Sequence, residues 1–277
     1  MKMLVNLLCC FVPDKNKRNE IRSKYIKSKE RRKKLLEYGC TIDGDTGITK
    51  NKIRFDISDY AKVCTHVREI LIEETYNFNI KEDCVVIDIG MNRAIASLYF
   101  AEKENVKKVY AYEPFEQTVI LARKNLELNP ELSKKIQVFG YGLGKEDKTM
   151  EIPYSINLSD CMSTTQNIKV RHNVKIEKVS VKDTAMVLAP IFEQNGNDKI
   201  ILKCDCEGAE FEIIERLNEK DLVGKIDAIL MEYHFEKPDR ITNILTKNNF
   251  AVHIIKGLKE KPIAGFIYAV QMTERSK

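Results

Sequence analysis

Two acids, each at the end of an apolar run, set the chemistry open to this chain. Val85-Val86-Ile87-Asp88-Ile89-Gly90-Met91-Asn92 closes on Asp-x-Gly, and Val109-Tyr110-Ala111-Tyr112-Glu113-Pro114 closes on a second acid 23 residues after Gly90. Two such runs joined by a helix-like stretch form the layout of a nucleotide site at the carboxyl ends of adjacent parallel strands. A carboxylate at Asp88 would repel the pyrophosphate of a dinucleotide. It suits S-adenosylmethionine (AdoMet), which carries an ammonium and a sulfonium. The loop also lacks the G-x-G-x-x-G of dinucleotide sites. Glu113 is placed to accept from both hydroxyls of an adenosyl ribose. Gly90 permits close backbone approach, and Asn92 can hydrogen-bond the methionine end. Gly142, just after the third strand candidate, completes the expected cofactor-binding set.

The acceptor side is read from two more motifs. Lys203-Cys204-Asp205-Cys206-Glu207-Gly208-Ala209-Glu210 runs from a strand through two acids into a helix whose apolar face is Ile213, Ile214 and Leu217. Asp205 falls where a transferred methyl would project. It is expected to orient or deprotonate an acceptor hydroxyl, or to hold a divalent metal with Glu207. Helix capping and the N-terminal dipole explain one such acid comfortably, but less well Asp205 and Glu207 together with Lys203. In Met231-Glu232-Tyr233-His234, Glu232 and His234 share one side of an extended chain and face the same cleft rim. His234 has the reference pKa of a base near neutrality, although a lone His at a strand end is more often a structural donor. Asp205, Glu207 and His234 are the catalytic candidates, and no metal ligand set is assigned.

These residues need strands ending at one edge of a sheet. Short apolar runs at 84–88, 108–112, 136–141, 199–204, 226–231, 250–255 and 265–272 predict seven strands. Helical segments are expected at about 94–104, 115–128, 208–217 and 237–248. Strand–helix alternation predicts a mainly parallel sheet covered on both faces. The last two strands are joined by Gly257–Pro262, too short for a right-handed crossover, so they should pair antiparallel. Upstream, Lys52–Ile57 reads as a strand, and Ser58 or Asp59 as the cap of a helix reaching about Phe78.

The set Val86–Asn92, Ala111-Tyr112-Glu113-Pro114, Leu202–Glu210 and Glu232-Tyr233-His234 resembles the FkbM-type methyltransferases, over roughly residues 80 to 272. Its most specific part is Lys-x-Asp-x-Glu-Gly-Ala-Glu, and Met162-Ser163-Thr164 is similar to a Ser/Thr-bearing loop of that family. The resemblance implies an α/β, Rossmann-like class I fold: a mainly parallel seven-stranded sheet ending in an antiparallel hairpin, here with a basic helical N-terminal arm. It implies AdoMet as cofactor and O-methylation of a sugar hydroxyl, on a bacterial surface glycan or its precursor. Ala94 replaces the family's usual glycine, which implies a tighter methionine pocket. The expected division is an arm (1–44), a strand and helix packing on the core (45–79) and the methyltransferase domain (80–277).

The net charge of +5 is unevenly spread: eleven Lys or Arg stand against three acids between Asp14 and Lys34, so the remainder is net acidic. Met3–Val12 is apolar but about half the roughly 20 residues that span a bilayer, and it makes a poor signal peptide. With Leu8–Pro13 and the basic residues after it, the arm is similar to short leaders on bacterial glycan-building enzymes. It is expected to meet an anionic membrane surface, at the inner face of the cytoplasmic membrane, or a glycosyltransferase. The eight cysteines include no C-x-x-C pair and the four histidines are scattered, which disfavours zinc and suits a reduced, cytoplasmic protein. A nucleic-acid substrate is disfavoured by the acidic remainder, the absence of Trp and the lack of an Asn-Pro-Pro-Tyr-type loop. An NAD-linked oxidoreductase is disfavoured by Asp88 and the missing glycines. The alternatives are a non-catalytic module on the same scaffold and a methyltransferase of another small-molecule acceptor.

Overall fold

The computed structural model describes residues 14–58, 63–155, 161–166, 174–257 and 263–272, with only part of the side chains in the first helix. The apolar stretch Met3–Val12 and most of the Gly257–Pro262 link lie outside the described residues. The chain divides into two units, residues 1–74 and 75–277. Among the described residues, no helix is long and apolar enough to cross a membrane.

In the first unit, Asp14 caps helix α1 (Lys15–Glu37), its carboxylate accepting from the Asn16 and Lys17 N–H groups. Strands β1 (Thr41–Asp43), β2 (Thr46–Ile48) and β3 (Arg54–Asp56) follow as a small antiparallel sheet. Leu35, Ile53, Phe55, Val63 and Val67 are among its buried apolar residues. Helix α2 (Val63–His66) continues as one π-helical stretch over Val67–Ile72. The helix expected to reach Phe78 therefore stops short: Glu74 takes the left-handed region at φ +51°, which no helix continues through.

The second unit is built on seven strands. These are β4 (Cys84–Ile89), β5 (Val106–Tyr112), β6 (Ile136–Phe139), β10 (Lys199–Cys204), β11 (Ala228–His234), β12 (Phe250–Lys256) and β13 (Ala264–Gln271). Their order is β12-β13-β11-β10-β4-β5-β6, with every pairing from β11 to β6 parallel and both pairings of β13 antiparallel. The chain leaves β4 in one direction toward β5 and β6, then returns to its other side through β10 and β11. In open α/β sheets a ligand crevice lies at such a reversal, here the position outside the carboxyl ends of β4 and β10. Helices α3 (Ile95–Glu102), α4 (Glu116–Glu127) and α5 (Pro130–Ser133) pack together as one group, and α6 (Thr184–Gln194), α7 (Glu210–Glu219) and α8 (Asp239–Lys247) as a second. Alternation along β4 sorts its side chains. Val85, Ile87 and Ile89 join the core formed with α6 to α8, whereas Asp88 meets Ser97 of α3 on the opposite face.

Between β6 and α6 lies a three-stranded sheet that the sequence reading left unassigned: β7 (Gly142–Gly144), β8 (Lys148–Tyr154) and β9 (Lys175–Asp183), in the order β7-β9-β8. Pro153 is tolerated because β8 is an edge strand. Beneath it, Phe115, Tyr154, Met162, Val179 and Val181 form a second small core.

Candidate active site

The loop after β4 is folded by backbone contacts that only glycine permits. The N–H groups of Gly90 and Met91 donate to the Tyr112 carbonyl at 3.0 and 2.9 Å, and Asp205 N–H donates to Ile89 O at 3.0 Å. Gly90 adopts φ +79°, and a Cβ there would stand 1.7 Å from the Asp205 carbonyl oxygen. The first and third motifs are thus in direct backbone contact. Asn92 and Ala94 also take left-handed conformations, at φ +49° and +61°. Ala94 holds the N-cap of α3 in a conformation that costs a non-glycine residue roughly 1–2 kcal/mol.

Glu113 ends β5 beside this loop, 5 % exposed, with one carboxylate oxygen accepting from Asn92 N–H at 3.0 Å and the other from Phe115 N–H at 3.1 Å. Burial pushes its carboxyl up to about 7, although both N–H bonds favour the charged form. Gly142 begins β7 and packs against Pro114, next in sequence to Glu113.

Asp88 lies beneath the site, not in it. Its carboxylate is fully buried, accepts from Ser97 Oγ at 2.5 Å and stands 3.0 Å from Lys203 Nζ. Lys203, equally enclosed, donates to the carbonyls of Ile89 and Gly90 at 3.2 and 2.7 Å. Burial opposes its charge, but the carboxylates of Asp88 and Asp205 outweigh that and hold its pKa above the ordinary lysine value. The expectation of Asp88 as a direct cofactor ligand is corrected accordingly. Its alternation onto the α3 face gives it to Lys203, and the pair pins the turn that a ligand would meet. Removing one partner of such a pair strands a buried charge, typically at a cost of about 3–5 kcal/mol.

Asp205, just past β10, accepts from Tyr76 Oη at 2.9 Å. Tyr76 is 4 % exposed, is flanked by Phe100 and Phe266, and lies with its ring 5.6 Å from Lys203 Nζ. Desolvation, with the nearby Asp205 and Glu232, keeps its phenol well above its ordinary pKa, so it donates. Sequence reasoning placed Tyr76 only among the apolar positions of an expected helix, 129 residues from its partner, and gave it no role in the site. Glu207 has φ +55° and Gly208 +110°, where a Cβ would stand 2.7 Å from Thr165 Oγ1. Ser163 fixes this turn, its hydroxyl donating to Glu207 O at 2.5 Å and accepting from the N–H groups of Thr165 and Gln166.

Glu210, the first residue of α7 and fully buried, folds back over its own loop and accepts from Cys206 and Gly208 N–H at 2.9 and 2.8 Å. Its Oε1 also meets His234 Nδ1 at 3.0 Å. The other ring nitrogen stands 3.6 Å from Glu232 Oε1 and 3.9 Å from Glu207 Oε2. Desolvation acts to lower the pKa of His234, yet Glu210, Glu232 and Asp205 raise it to about 12. Glu210 thus orients the ring through Nδ1 and leaves Nε2 toward Glu232 and Glu207. Burial lifts Glu207 to about 8, helped by Asp205, Glu210 and Glu232 and opposed by His234.

With that geometry in place, the family is decided by comparison. The model of the methyltransferase FkbM domain matches residues 88–254. The chain belongs to the FkbM methyltransferase family and is a methyltransferase. Among proteins similar to it is Methyltransferase 1 of Beauveria bassiana, 27 % identical over 233 residues that cover 75 % of this chain and 91 % of the relative. Methyltransferase sdnD of Sordaria araneosa is 26 % identical over 178 residues, covering 55 % of this chain and 68 % of the relative. A solved structure of methyltransferase FkbM from Methylobacillus flagellatus KT aligns with TM-score 0.48 at 14 % identity, over 73 % of this chain and 47 % of that one.

Proposed function

We propose that this methyltransferase uses AdoMet and methylates a hydroxyl oxygen of a sugar, on a surface glycan or its precursor. One observation carries the cofactor: Glu113, buried at the end of β5, is held by two backbone N–H bonds beside a glycine turn with no room for a Cβ. The buried Oδ1 of Asn92 has no hydrogen-bond partner and offers an acceptor to the same ligand. A dinucleotide pyrophosphate finds no row of free loop N–H groups here, since those of Gly90 and Met91 are given to Tyr112. Glu113 would hold the ribose, with Asn92, Gly90 and Gly142 lining the rest and Asp88 acting through Lys203. When bound, AdoMet supplies a methyl group on a sulfonium, already a strong leaving group.

The chain's own task is mainly orientation. At the ends of β10 and β11, the carboxylates of Asp205, Glu207 and Glu232 offer acceptors to a hydroxyl-rich substrate, which supports a sugar over an apolar acceptor. Asp205, oriented by Tyr76, is assigned the acceptor proton. Glu207 binds a neighbouring hydroxyl, and His234 holds the carboxylates apart in fixed positions. Asp205→Asn is expected to bind AdoMet as wild type does while methyl transfer to sugar acceptors falls by about 10²–10⁴-fold, the usual range for a general base. Transfer at the normal rate would remove Asp205 from the chemistry.

The arm is assigned to contact with an anionic membrane surface, the rival being a partner glycosyltransferase. Each Lys or Arg held near such a surface contributes about 1 kcal/mol. A variant lacking residues 1–26, which keeps the buried Leu35, should lose sedimentation with anionic liposomes at low salt. Equal recovery of both forms in the supernatant would point to the protein partner.

A further inference from the structure

The carboxyl ends of β10 and β11 gather more carboxyl groups than cations. Asp205, Glu207, Glu210 and Glu232 converge there, and among the described residues the ion pairs of these four are made with His234 alone, with no Lys or Arg. Lys203 is spent on Asp88 and two carbonyls. Asp205, Glu210 and His234 each offer a ligand atom, all within 4.8 Å of one another. The imidazole is aimed from behind. Glu210, itself fixed by two backbone N–H groups, takes Nδ1 at 3.0 Å and leaves Nε2 facing Glu232 and Glu207. A buried carboxylate on one ring nitrogen, with the other turned toward oxygen donors, is the usual second shell of a metal-bound histidine. Nε2 lies 3.6 Å from Glu232 Oε1, close to the spacing of two ligands on one ion, and 3.9 Å from Glu207 Oε2, beyond it. Ligands about 2.1 Å from one ion stand roughly 3.0–3.5 Å apart.

We propose that this cluster is a divalent-cation site, with Asp205, Glu232 and His234 Nε2 as ligands, Glu207 at its rim and Glu210 orienting the ring. Oxygen donors with one imidazole suit Mn²⁺ or Mg²⁺ over thiophilic ions. The assignment goes beyond the sequence reading, which saw Asp205 with Glu207 but not the imidazole that β11 brings to them. Resting on the acceptor assignment above, it also narrows the substrate. A cation there would grip two adjacent oxygens, so the acceptor is a vicinal diol, and the bound hydroxyl would lose its proton to a nearby carboxylate more readily.

The test uses the full-length chain stripped with chelator and titrated with Mn²⁺, read by calorimetry and by the electron-spin resonance of free Mn²⁺. One ion per chain is expected. Affinity should fall at least tenfold in Glu232→Gln and His234→Ala, and about 10–100-fold in Glu210→Gln, with circular dichroism confirming that each is folded. Glu131→Gln, on exposed α5, should bind as wild type does. Absence of a stoichiometric site in the wild-type chain, or undiminished affinity in folded Glu232→Gln, would overturn the proposal. AdoMet titrated into the same metal-free sample separates the two readings. AdoMet binding without Mn²⁺ binding sinks the cation site and leaves the methyltransferase reading intact, while the reverse leaves only the cation site.

Discussion

Glu113 shows how a single buried carboxyl can tie cofactor affinity to pH. Its folded-state pKa, about 7, is above the ordinary 4.5 because burial outweighs its two N–H bonds. A raised carboxyl binds protons more tightly in the folded chain than in the unfolded one. The ligand-free protein should therefore lose stability as pH rises from the ordinary carboxyl range to about 7. In the proposed site AdoMet binds the charged form, which can accept both ribose hydroxyls, so its affinity should weaken as pH falls below about 7, by up to tenfold per unit. Glu113→Gln should flatten both dependences. Denaturant melts and calorimetric titrations between about pH 5 and pH 8 check them, and a wild-type affinity independent of pH would contradict the assignment. Asp88 and Glu113 were legible in the sequence as acids closing apolar runs. Their partners were not: Lys203 reaches the β4 loop across 113 residues, and Tyr76 reaches Asp205 across 129. Nothing local marks such pairings, so the sequence identifies an acid without saying whether it faces a ligand or a buried lysine.

At the scale of elements, the site depends on how closely β4 and β10 approach at their carboxyl ends. They pair in parallel over six residues, from Cys84↔Lys199 to Ile89↔Cys204, and Gly90 then passes the Asp205 carbonyl with no room for a side chain. Gly90→Ala meets both a disfavoured φ and that carbonyl. Its loss of stability should exceed the roughly 1–2 kcal/mol of the conformation alone, read as melting at least about 2 °C lower. An unchanged melting temperature would mean that the loop moves freely and does not anchor the two motifs. All seven sheet strands were legible because each is a short apolar run bounded by polar residues or turns. The small sheet was not, although Lys175-Ile176-Glu177-Lys178-Val179-Ser180-Val181 alternates with the period of a strand. Its partner β8 contains Pro153, which argues against a strand until its edge position is known. The upstream helix was overextended because Tyr76 follows Val63, Val67, Ile70 and Leu71 near helical spacing, while its ring packs near Phe100.

For the molecule as a whole, charge divides the labour. The basic residues concentrate between Asp14 and Lys34, while the second unit gathers carboxylates at one end of its sheet. Cofactor and acceptor are thereby assigned to different strand ends, β4 and β5 for one and β10 and β11 for the other. That division rests on AdoMet binding where Glu113 closes β5. Calorimetric titration of AdoMet into the full-length chain and into Glu113→Ala at pH about 8, where the carboxyl is charged, tests it most directly. The expected result is one molecule bound per wild-type chain and a loss of at least about 1.5–3 kcal/mol, or roughly 10–150-fold in affinity, in the variant. A folded wild-type chain that takes up no AdoMet, or a Glu113→Ala variant that binds it equally well, would contradict the placement of the cofactor and the division built on it.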